Sequence, residues 1–214
     1  MSDRVVMSPL AAAAGGGNES YAAYPLREWA LVKTIRRMTL ANVCGELRSL
    51  RLTWQRPRKQ AADEQTFLYQ TLPWLLDAAW LLADAPLTAL HVERVAGKNN
   101  LFSLAMFQNG IAAEIEMNEC LPDSMPATYF IKANFTHGHL TNQPVVGHFN
   151  EEGSILADAS GMQRLVIENA DWDDCGDEIE LCHRRVRHAM EQGAYPAGPL
   201  NRKAILAAIR EALP

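Results

Sequence analysis

Three histidines in the second half of the chain could bind a metal ion. His137 and His139 are separated by one residue, so on a β-strand both imidazoles would point to the same side, and His148 could reach them from a neighbouring strand. Three protein ligands and an open position are typical of catalytic zinc, which would support a hydrolase or isomerase. The alternative is ordinary imidazoles near a turn. We favour the alternative because no carboxylate or Cys spacing accompanies the histidines.

Acidic and hydroxyl side chains form a second set of candidates. Glu114 and Glu116 share one strand face and could divide acid and base roles, but the solvent face of a sheet explains them equally simply. The acidic run 171–174 lacks the spacing of a calcium loop and is typical of a solvated segment before a helix. Ser160 would be a nucleophile only beside a base, and its Asp-Ala-Ser-Gly setting favours a tight turn.

Aromatic side chains form the third set of candidates. Tryptophan rings can stack on the C–H faces of sugars, although in most proteins they lie in the core or in an interface. The four considered are Trp29, Trp54, Trp74 and Trp80. We retain Trp54 and Trp74 as ligand-binding candidates, together with Gln70 and Lys132.

Helices are predicted at both ends of the chain and once between them. Apolar residues recur there at spacings of three and four, which is typical of amphipathic helices. The predicted helices extend from about Tyr24 to Leu40, over Thr71–Ala83, after Asp177 and after Asn201.

Strands are predicted over Glu46–Trp54 and between Leu87 and Glu168, where the apolar period changes to two. Asn109-Gly110 is a strong hairpin signal because both residues tolerate positive φ. Segregated helices and hairpins indicate an α+β fold. We predict a single largely antiparallel (mixed) sheet of about six strands, with helices packed on one face.

Length, composition and charge restrict the class of protein. With 214 residues, 48% of them hydrophobic, the chain can form one domain with a sizeable core. We predict a flexible leader over residues 1–20 and the domain over residues 21–214. The net charge of −5 disfavours nucleic acid as a partner. Without a membrane-span pattern, a secretion signal or a CxxC pair, we expect a cytoplasmic protein with reduced thiols.

Four segments resemble landmarks of one enzyme family, in the same order along the chain. They are Tyr24-Pro25 leading to Val43–Leu47, Trp74–Asp77 with Leu81-Leu82, Asn109–Glu116, and Glu191–Gly193 with Tyr195-Pro196 and the Ala204–Ala212 helix. Together they resemble the C-terminal domain of the Gfo/Idh/MocA oxidoreductases, the superfamily of glucose-fructose oxidoreductase and inositol dehydrogenase. The resemblance implies that domain's fold. It also implies a homodimer, because in the family the sheet face often packs against a second subunit.

The glycines of this sequence do not supply the family's cofactor site. In the family, a Rossmann domain comes first, binds a nicotinamide cofactor and contributes a catalytic Lys. Gly15-Gly16-Gly17 is not a G-x-G-x-x-G turn and leaves no room for a βαβ unit before it. We therefore predict no cofactor for this chain alone, and NAD(P) only if a partner chain supplies the Rossmann domain.

Gln70 and Trp74 stand where the resemblance implies a catalytic Asp and His. The family usually carries these two residues four apart on the second helix, and the His acts on the substrate hydroxyl proton. Gln cannot ionise, and an indole N–H is a donor without useful acidity. A shifted alignment would not restore the pair, because the first histidine of the chain is His91.

These features imply a protein that is not an active dehydrogenase on its own. The leading hypothesis is a non-catalytic module that binds a small sugar-like ligand or assembles as a homodimer through its sheet face. The alternative is the substrate-side subunit of a split NAD(P)-dependent sugar or polyol dehydrogenase, with the Rossmann domain on a partner protein. A metal-dependent hydrolase or isomerase is the third possibility.

Overall fold

Eight β-strands form one sheet in the computed structural model, which describes residues 24–95, 99–143, 154–165, 178–192 and 202–213. They are β1 (Leu47–Pro57), β2 (Leu87–Arg94), β3 (Asn100–Phe107), β4 (Ala112–Leu121), β5 (Thr128–Phe135), β6 (Gly138–Thr141), β7 (Ser154–Asp158) and β8 (Gly161–Leu165). Their order is β2-β3-β4-β1-β5-β6-β7-β8. β1 and β4 are parallel, and the other neighbouring pairs are antiparallel.

The predicted α+β class with a mixed, largely antiparallel sheet is confirmed, with eight strands instead of about six. β3 shows no apolar period of two, because both of its faces carry apolar side chains. Leu101 and Ala105 are buried, whereas Phe102 and Leu104 are exposed on the other side. Without alternation of polar and apolar residues, the period of two is invisible. The predicted leader over residues 1–20 lies outside the described residues.

Four α-helices are present in the described ranges. They are α1 (Ala30–Leu40), α2 (Leu72–Ala83), α3 (Glu178–Glu191) and α4 (Arg202–Ala212). A 3₁₀ turn (Pro25–Glu28) precedes α1, and a helical turn (Glu64–Thr66) and a π-helical segment (Phe67–Thr71) lead directly into α2. Within the described part of the chain, no helix has both the length and the apolar character needed to cross a membrane.

The core lies between the sheet and α2. On β1, Leu50, Leu52 and Trp54 alternate inward, as the period of two predicts, and each is almost fully buried. In α2, every residue except Trp80 is buried. A helix that is apolar on nearly all sides is typical of a protein interior. Because α2 is held in the core in this way, it fixes the position of Trp74.

A buried ion pair anchors α2 to the start of the chain. The Arg27 Nε and Nη2 atoms donate to the two Asp77 carboxylate oxygens at 2.6 and 2.7 Å. The two side chains are only 2% and 1% exposed. Burial raises the pKa of the Asp77 carboxyl, and the hydrogen bonds and charge of Arg27 oppose that shift. The pair thus compensates the one charge that α2 brings into the core.

The side of the sheet that faces away from α2 is called here the open face; Thr141 on β6 and Ile155 on β7 are buried on it. One row across it contains, strand after strand, His91, Leu104, Glu114, Arg51, Lys132 and Thr141. Phe102, Leu104 and Met162 are 42%, 44% and 48% exposed on this side. The open face therefore combines exposed apolar groups with charged ones.

Gly138 marks a close backbone approach between β6 and β7. A Cβ at this position would lie 2.3 Å from the Ala157 carbonyl oxygen, and only separation of the two strands could relieve that overlap. We expect Gly138→Ala to lower the free energy of unfolding by about 1–3 kcal/mol in urea titrations. Gly110→Asn is the control, because nothing lies within 4 Å of its added Cβ and Asn tolerates its φ of +82°. Equal stability of the two variants would contradict the close approach.

Candidate ligand-binding site

Trp54 and Trp74, two of the predicted ligand-binding candidates, meet in the structure. Trp54 points inward from β1, and Trp74 faces it from the first turns of α2. Their ring centroids are 6.0 Å apart with an angle of 62° between the planes, an edge-to-face contact. They are 2% and 9% exposed, so both rings belong to the hydrophobic core, and Trp74 is the more accessible of the two.

Two further rings complete what we call the aromatic cluster, which consists of Trp54, Trp74, Tyr129 and His183. Tyr129 is the cross-strand partner of Trp54 on β5, with ring centroids 4.4 Å apart. His183 reaches Trp74 from α3, with centroids 5.5 Å apart and planes at 73°. Tyr129 and Trp74 are each 9% exposed, whereas His183 is half-buried, so the cluster comes closest to solvent at His183.

Both indole N–H groups in the cluster lack a hydrogen-bond acceptor among the described residues. The Nε1 atoms of Trp54 and Trp74 are shielded from solvent and have no partner there. A buried donor left without an acceptor costs roughly 1–3 kcal/mol, and such groups in folded proteins call for an explanation. An acceptor supplied by a ligand is one explanation.

Arg56 adds a positive charge beside the cluster. Its Cζ lies 6.0 Å from the centre of the Trp54 ring, and its Nε has no acceptor among the described residues. Its Nη1 is 3.5 Å from the Oε1 of Glu119, a long contact. The other Glu119 oxygen accepts the Ala62 N–H at 2.8 Å and the Asn99 amide at 2.9 Å. Glu119 therefore mainly fixes the loop before α2.

Of the other two ligand-binding candidates, Gln70 precedes Trp74 by one helical turn, whereas Lys132 lies on the other side of the sheet. Gln70 is half-buried in the π-helical segment, four residues before Trp74. Lys132 is half-buried on β5 opposite Arg51, with its side chain on the open face. One small ligand cannot contact both Lys132 and the aromatic cluster, because the sheet separates them.

The histidine candidates for a metal site do not assemble in the described part of the chain. His137 is exposed in the turn between β5 and β6. Burial, followed by the nearby charge of Lys132, lowers the pKa of His139. His148 lies outside the described residues. Among those that are described, no group of three His, Cys, Asp or Glu side chains is placed to hold a metal ion.

The acidic and hydroxyl candidates have local partners. Glu114 accepts two hydrogen bonds from Arg51 on the open face, at 3.0 and 2.7 Å, and Glu116 accepts one from Gln55 at 3.2 Å. The Ser160 N–H and hydroxyl both donate to Asp158 in the turn between β7 and β8, an arrangement that lowers the Asp158 pKa. The run 171–174 lies outside the described residues.

His183 and Arg56 were missed by the sequence analysis, although each had a detectable signal. His183 follows Ile179 by four residues, so it lies on the inward stripe of α3. Arg56 follows Trp54 by two residues, so both point to the same side of β1. Neither signal identifies the partner, since both contacts are formed between distant parts of the chain.

The glycines among the described residues do not form a dinucleotide-binding turn. Gly45 and Gly110 adopt positive φ in turns, Gly138 sits between two strands, and Gly161 begins β8. None of these glycines lies between a strand and a following helix, where a pyrophosphate would bind. Within the described ranges we therefore assign no residue to NAD(P).

Comparison with known proteins identifies the fold and goes no further. The sequence matches no protein-family model and has no significant match among curated proteins. Solved structures do match. An oxidoreductase from Agrobacterium radiobacter, in complex with NAD⁺, L-tartaric acid and magnesium, has a TM-score of 0.63 at 13% identity over 88% of this chain. The fold is that of the C-terminal domain of the Gfo/Idh/MocA-type oxidoreductases.

Two other solved structures give the same result for this Gfo/Idh/MocA-type fold. An inositol dehydrogenase homolog from Azotobacter vinelandii, complexed with NADH and myo-inositol, has a TM-score of 0.56 at 14% identity over 88% of this chain. Levoglucosan dehydrogenase in complex with NADH has a TM-score of 0.62 at 15% identity over 96%. The chain spans 60%, 59% and 70% of the Agrobacterium, Azotobacter and levoglucosan proteins.

Proposed function

We propose that this chain binds a small polyol- or sugar-like ligand at the aromatic cluster, without dehydrogenase activity of its own. The observation that carries the proposal is the pair of buried indole N–H groups without acceptors among the described residues. Sugar hydroxyls can accept such hydrogen bonds, and the C–H faces of a sugar suit aromatic rings. Proteins of the same fold have been solved with myo-inositol and with L-tartaric acid, both of which carry several hydroxyl groups.

The residues at positions 70 and 74 support a binding role over proton transfer. The Gln70 amide does not titrate near neutral pH, and the Trp74 indole can donate a hydrogen bond but not a proton. General acid–base catalysis needs a group whose pKa lies near the working pH. These two side chains can therefore orient a polyol without activating its hydroxyl group.

Indole resonances in NMR spectra test ligand binding directly. We expect saturable shifts of the Trp54 and Trp74 N–H signals when myo-inositol, D-glucitol or levoglucosan is added to the ¹⁵N-labelled protein. Trp74→Phe should weaken binding by about 5- to 10-fold, the value of one hydrogen bond. Trp80→Phe is the control, because Trp80 packs on Phe107 away from the cluster. If no probe moves either resonance, the proposal fails.

We further propose that the open face pairs with a second copy of the chain. Its acidic residues Glu93, Glu114 and Glu116 lie on β2 and β4, on one side of the β4/β1 boundary. Its basic residues Arg51, Lys132 and Arg164 lie on β1, β5 and β8, on the other side. A twofold axis near that boundary places each acidic half opposite a basic half, and the exposed apolar groups between them become buried.

Light scattering of a charged variant tests the dimer. We expect Leu104→Arg to weaken dimerisation by about 100-fold, because the new cation would be buried opposite the partner's basic half. Leu40→Arg is the matched control, since Leu40 is 66% exposed at the end of α1 and away from the open face. A wild-type protein that stays monomeric at its highest soluble concentration would exclude this assembly.

A second candidate function is the substrate-side subunit of a split dehydrogenase. The placement of His183 favours it, because an imidazole from α3 contacts Trp74, the residue at which the resemblance implies the family's catalytic His. This function requires NAD(P) bound by a partner chain with a Rossmann domain. Melting temperatures with NAD(H) and NADP(H), with and without candidate partner chains, test it. The absence of a cofactor-dependent shift in every mixture would exclude the subunit role.

A further inference from the structure

The outer edge of β2 carries backbone groups that pair with no described strand. β2 is the first strand in the order of the sheet, so it has a neighbouring strand on one side only. The Val95 N–H donates to the Asn100 carbonyl oxygen on β3 at 3.0 Å. Since such bonds alternate along an antiparallel pair, the N–H and C=O groups of Leu90, Val92 and Arg94 point away from β3. An exposed row of this kind is a template for a further strand.

The side chains along this edge alternate between the two faces of the sheet. Val92 is buried and Leu90 packs against the core, so both lie on the side of α2. His91 and Glu93 lie on the open face, with side chains 76% and 71% exposed. Within the chain, the His91 Nε2 is 3.8 Å from the Glu93 Oε2, which is too long for a hydrogen bond. Each of these two side chains can therefore take a partner from a neighbouring strand.

We propose that β2 pairs in antiparallel orientation with β2 of a second copy of the chain, with the twofold axis at Val92. Val92 then lies opposite its own copy, and Leu90 lies opposite Arg94 of the second copy. Each such pair exchanges two backbone hydrogen bonds. On the open face, His91 lies opposite Glu93 of the second copy, in the type of pair whose side chains are closest. An imidazole, neutral or protonated, can donate a hydrogen bond to a carboxylate.

The side chains at positions 91 and 93 favour this register over its neighbours. Outward-pointing backbone groups must lie opposite one another, so the neighbouring registers have the axis at His91 or at Glu93. The first would place two imidazoles opposite each other, and the second would place two carboxylates opposite each other. Like charges directly opposite are destabilising in a sheet. Of these three registers, only the one centred on Val92 joins a histidine to a carboxylate, and the twofold axis forms that pair twice.

The helix beside β2 leaves space for a further strand. α4 faces the first half of β2 with Ala204, Ala207 and Ala208, and a groove of about 450 Å³ lies between the two elements. Because these side chains are single methyl groups, α4 does not close the edge next to Leu90. At the other end of the strand, the Arg94 side chain is held by Glu64, with Nη2 and Oε1 2.5 Å apart, so it is directed away from the incoming backbone.

A proline on the edge tests the backbone pairing. Leu90→Pro removes an outward N–H and places a ring where the second copy must approach. Proline is tolerated in edge strands whose N–H faces solvent, so circular dichroism should show a folded protein. We expect dimerisation through the edge to weaken by at least about 30-fold in sedimentation velocity, because the twofold axis doubles the loss of each hydrogen bond.

Charge variants test the register, and they decide the matter if the proline variant does not fold. They are made in the Leu104→Arg background, which disrupts the open-face dimer and leaves the backbone of β2 unchanged. Glu93→Lys and His91→Glu each place like charges opposite each other, so each should weaken dimerisation by about 10-fold. When the two variants are mixed, unlike groups lie opposite at both positions, and native mass spectrometry should show mainly mixed dimers. Glu180→Lys on the surface of α3 is the control and should assemble as its parent does.

The outcomes separate the edge pairing from the open-face dimer. A wild-type tetramer that becomes a dimer in Leu104→Arg supports both interfaces. If Leu104→Arg alone gives a monomer, the edge pairing is overturned and the open-face dimer stands. A folded Leu90→Pro that assembles as the wild type does, or a mixture without a preference for mixed dimers, also overturns the edge pairing. A wild-type protein that stays monomeric at its highest soluble concentration overturns it too and leaves the edge to a strand of another protein.

Discussion

Asp77→Asn is expected to lower the free energy of unfolding by about 3–5 kcal/mol, the cost of breaking a buried ion pair by removing one charge. The amide occupies the same space as the carboxylate, so packing is preserved. What is lost is the counter-charge of Arg27, which is 3% exposed and cannot recover its hydration without opening the contact between α2 and the 3₁₀ turn. Urea unfolding followed by circular dichroism measures the change.

The control for Asp77 is an ion pair of the same chemistry on the surface. Glu180 and Arg184 lie four residues apart on α3, and the distance from the Arg184 Nη2 to the Glu180 Oε1 is 3.3 Å. The two side chains are 47% exposed for Arg184 and 58% for Glu180. Glu180→Gln should cost less than about 1 kcal/mol. A double variant, Arg27→Met with Asp77→Leu, should recover most of the stability, because an apolar pair needs no hydration. If Asp77→Asn lowered the free energy of unfolding no more than Glu180→Gln, burial would not determine the contribution of the Arg27–Asp77 pair to stability.

Elements with a clean apolar period could be predicted from the sequence. The central part of β1, Leu50–Trp54, and most of β4 alternate in residue type, since each has one face on the core and one on the open face. The hairpin at Asn109-Gly110 was also correct, with Gly110 at a φ of +82°. The order of four weak landmarks then predicted the fold of the Gfo/Idh/MocA C-terminal domain, which the solved structures confirm at identities of only 13–15%.

Elements and contacts without a local signal could not be predicted. β6 has only four residues and begins with Gly138, so it is too short to show a period. The start of the second helix was misplaced for a different reason. The helical region begins at Glu64, where Asp63 accepts the Thr66 N–H at 2.9 Å, and not at Thr71.

Only some residues of the candidate site, and none of its long-range contacts, could be predicted from the sequence. Trp54 and Trp74 could be proposed from residue type, and the alternation of β5 already placed Lys132 away from Trp54, because Ile131 and Ala133 point into the core. The contacts of Trp74 with His183 and of Arg56 with Glu119 join residues more than 60 positions apart. Periodicity gives the inward direction of such side chains but never their partner.

The second large effect is expected at Trp54, where two substitutions separate the contribution of the ring to stability from that of the indole N–H. Trp54→Ala should lower the free energy of unfolding by about 3–5 kcal/mol, because it leaves a cavity against Trp74 and Tyr129. Trp54→Phe keeps most of the aromatic surface and removes a donor that has no acceptor among the described residues. Since a buried unpaired donor costs roughly 1–3 kcal/mol, its loss should offset the smaller ring.

Trp54→Phe is therefore expected to change stability by less than about 1.5 kcal/mol and yet to weaken ligand binding. Leu52→Ala, two residues away on the same face and fully buried, gives the cost of a cavity that involves no polar group. If Trp54→Phe proved as destabilising as Trp54→Ala, the indole N–H would have an acceptor in the free protein. A stable Trp54→Phe with reduced affinity means instead that this N–H costs stability in the free protein and acts in the complex, as expected for a group that binds a ligand.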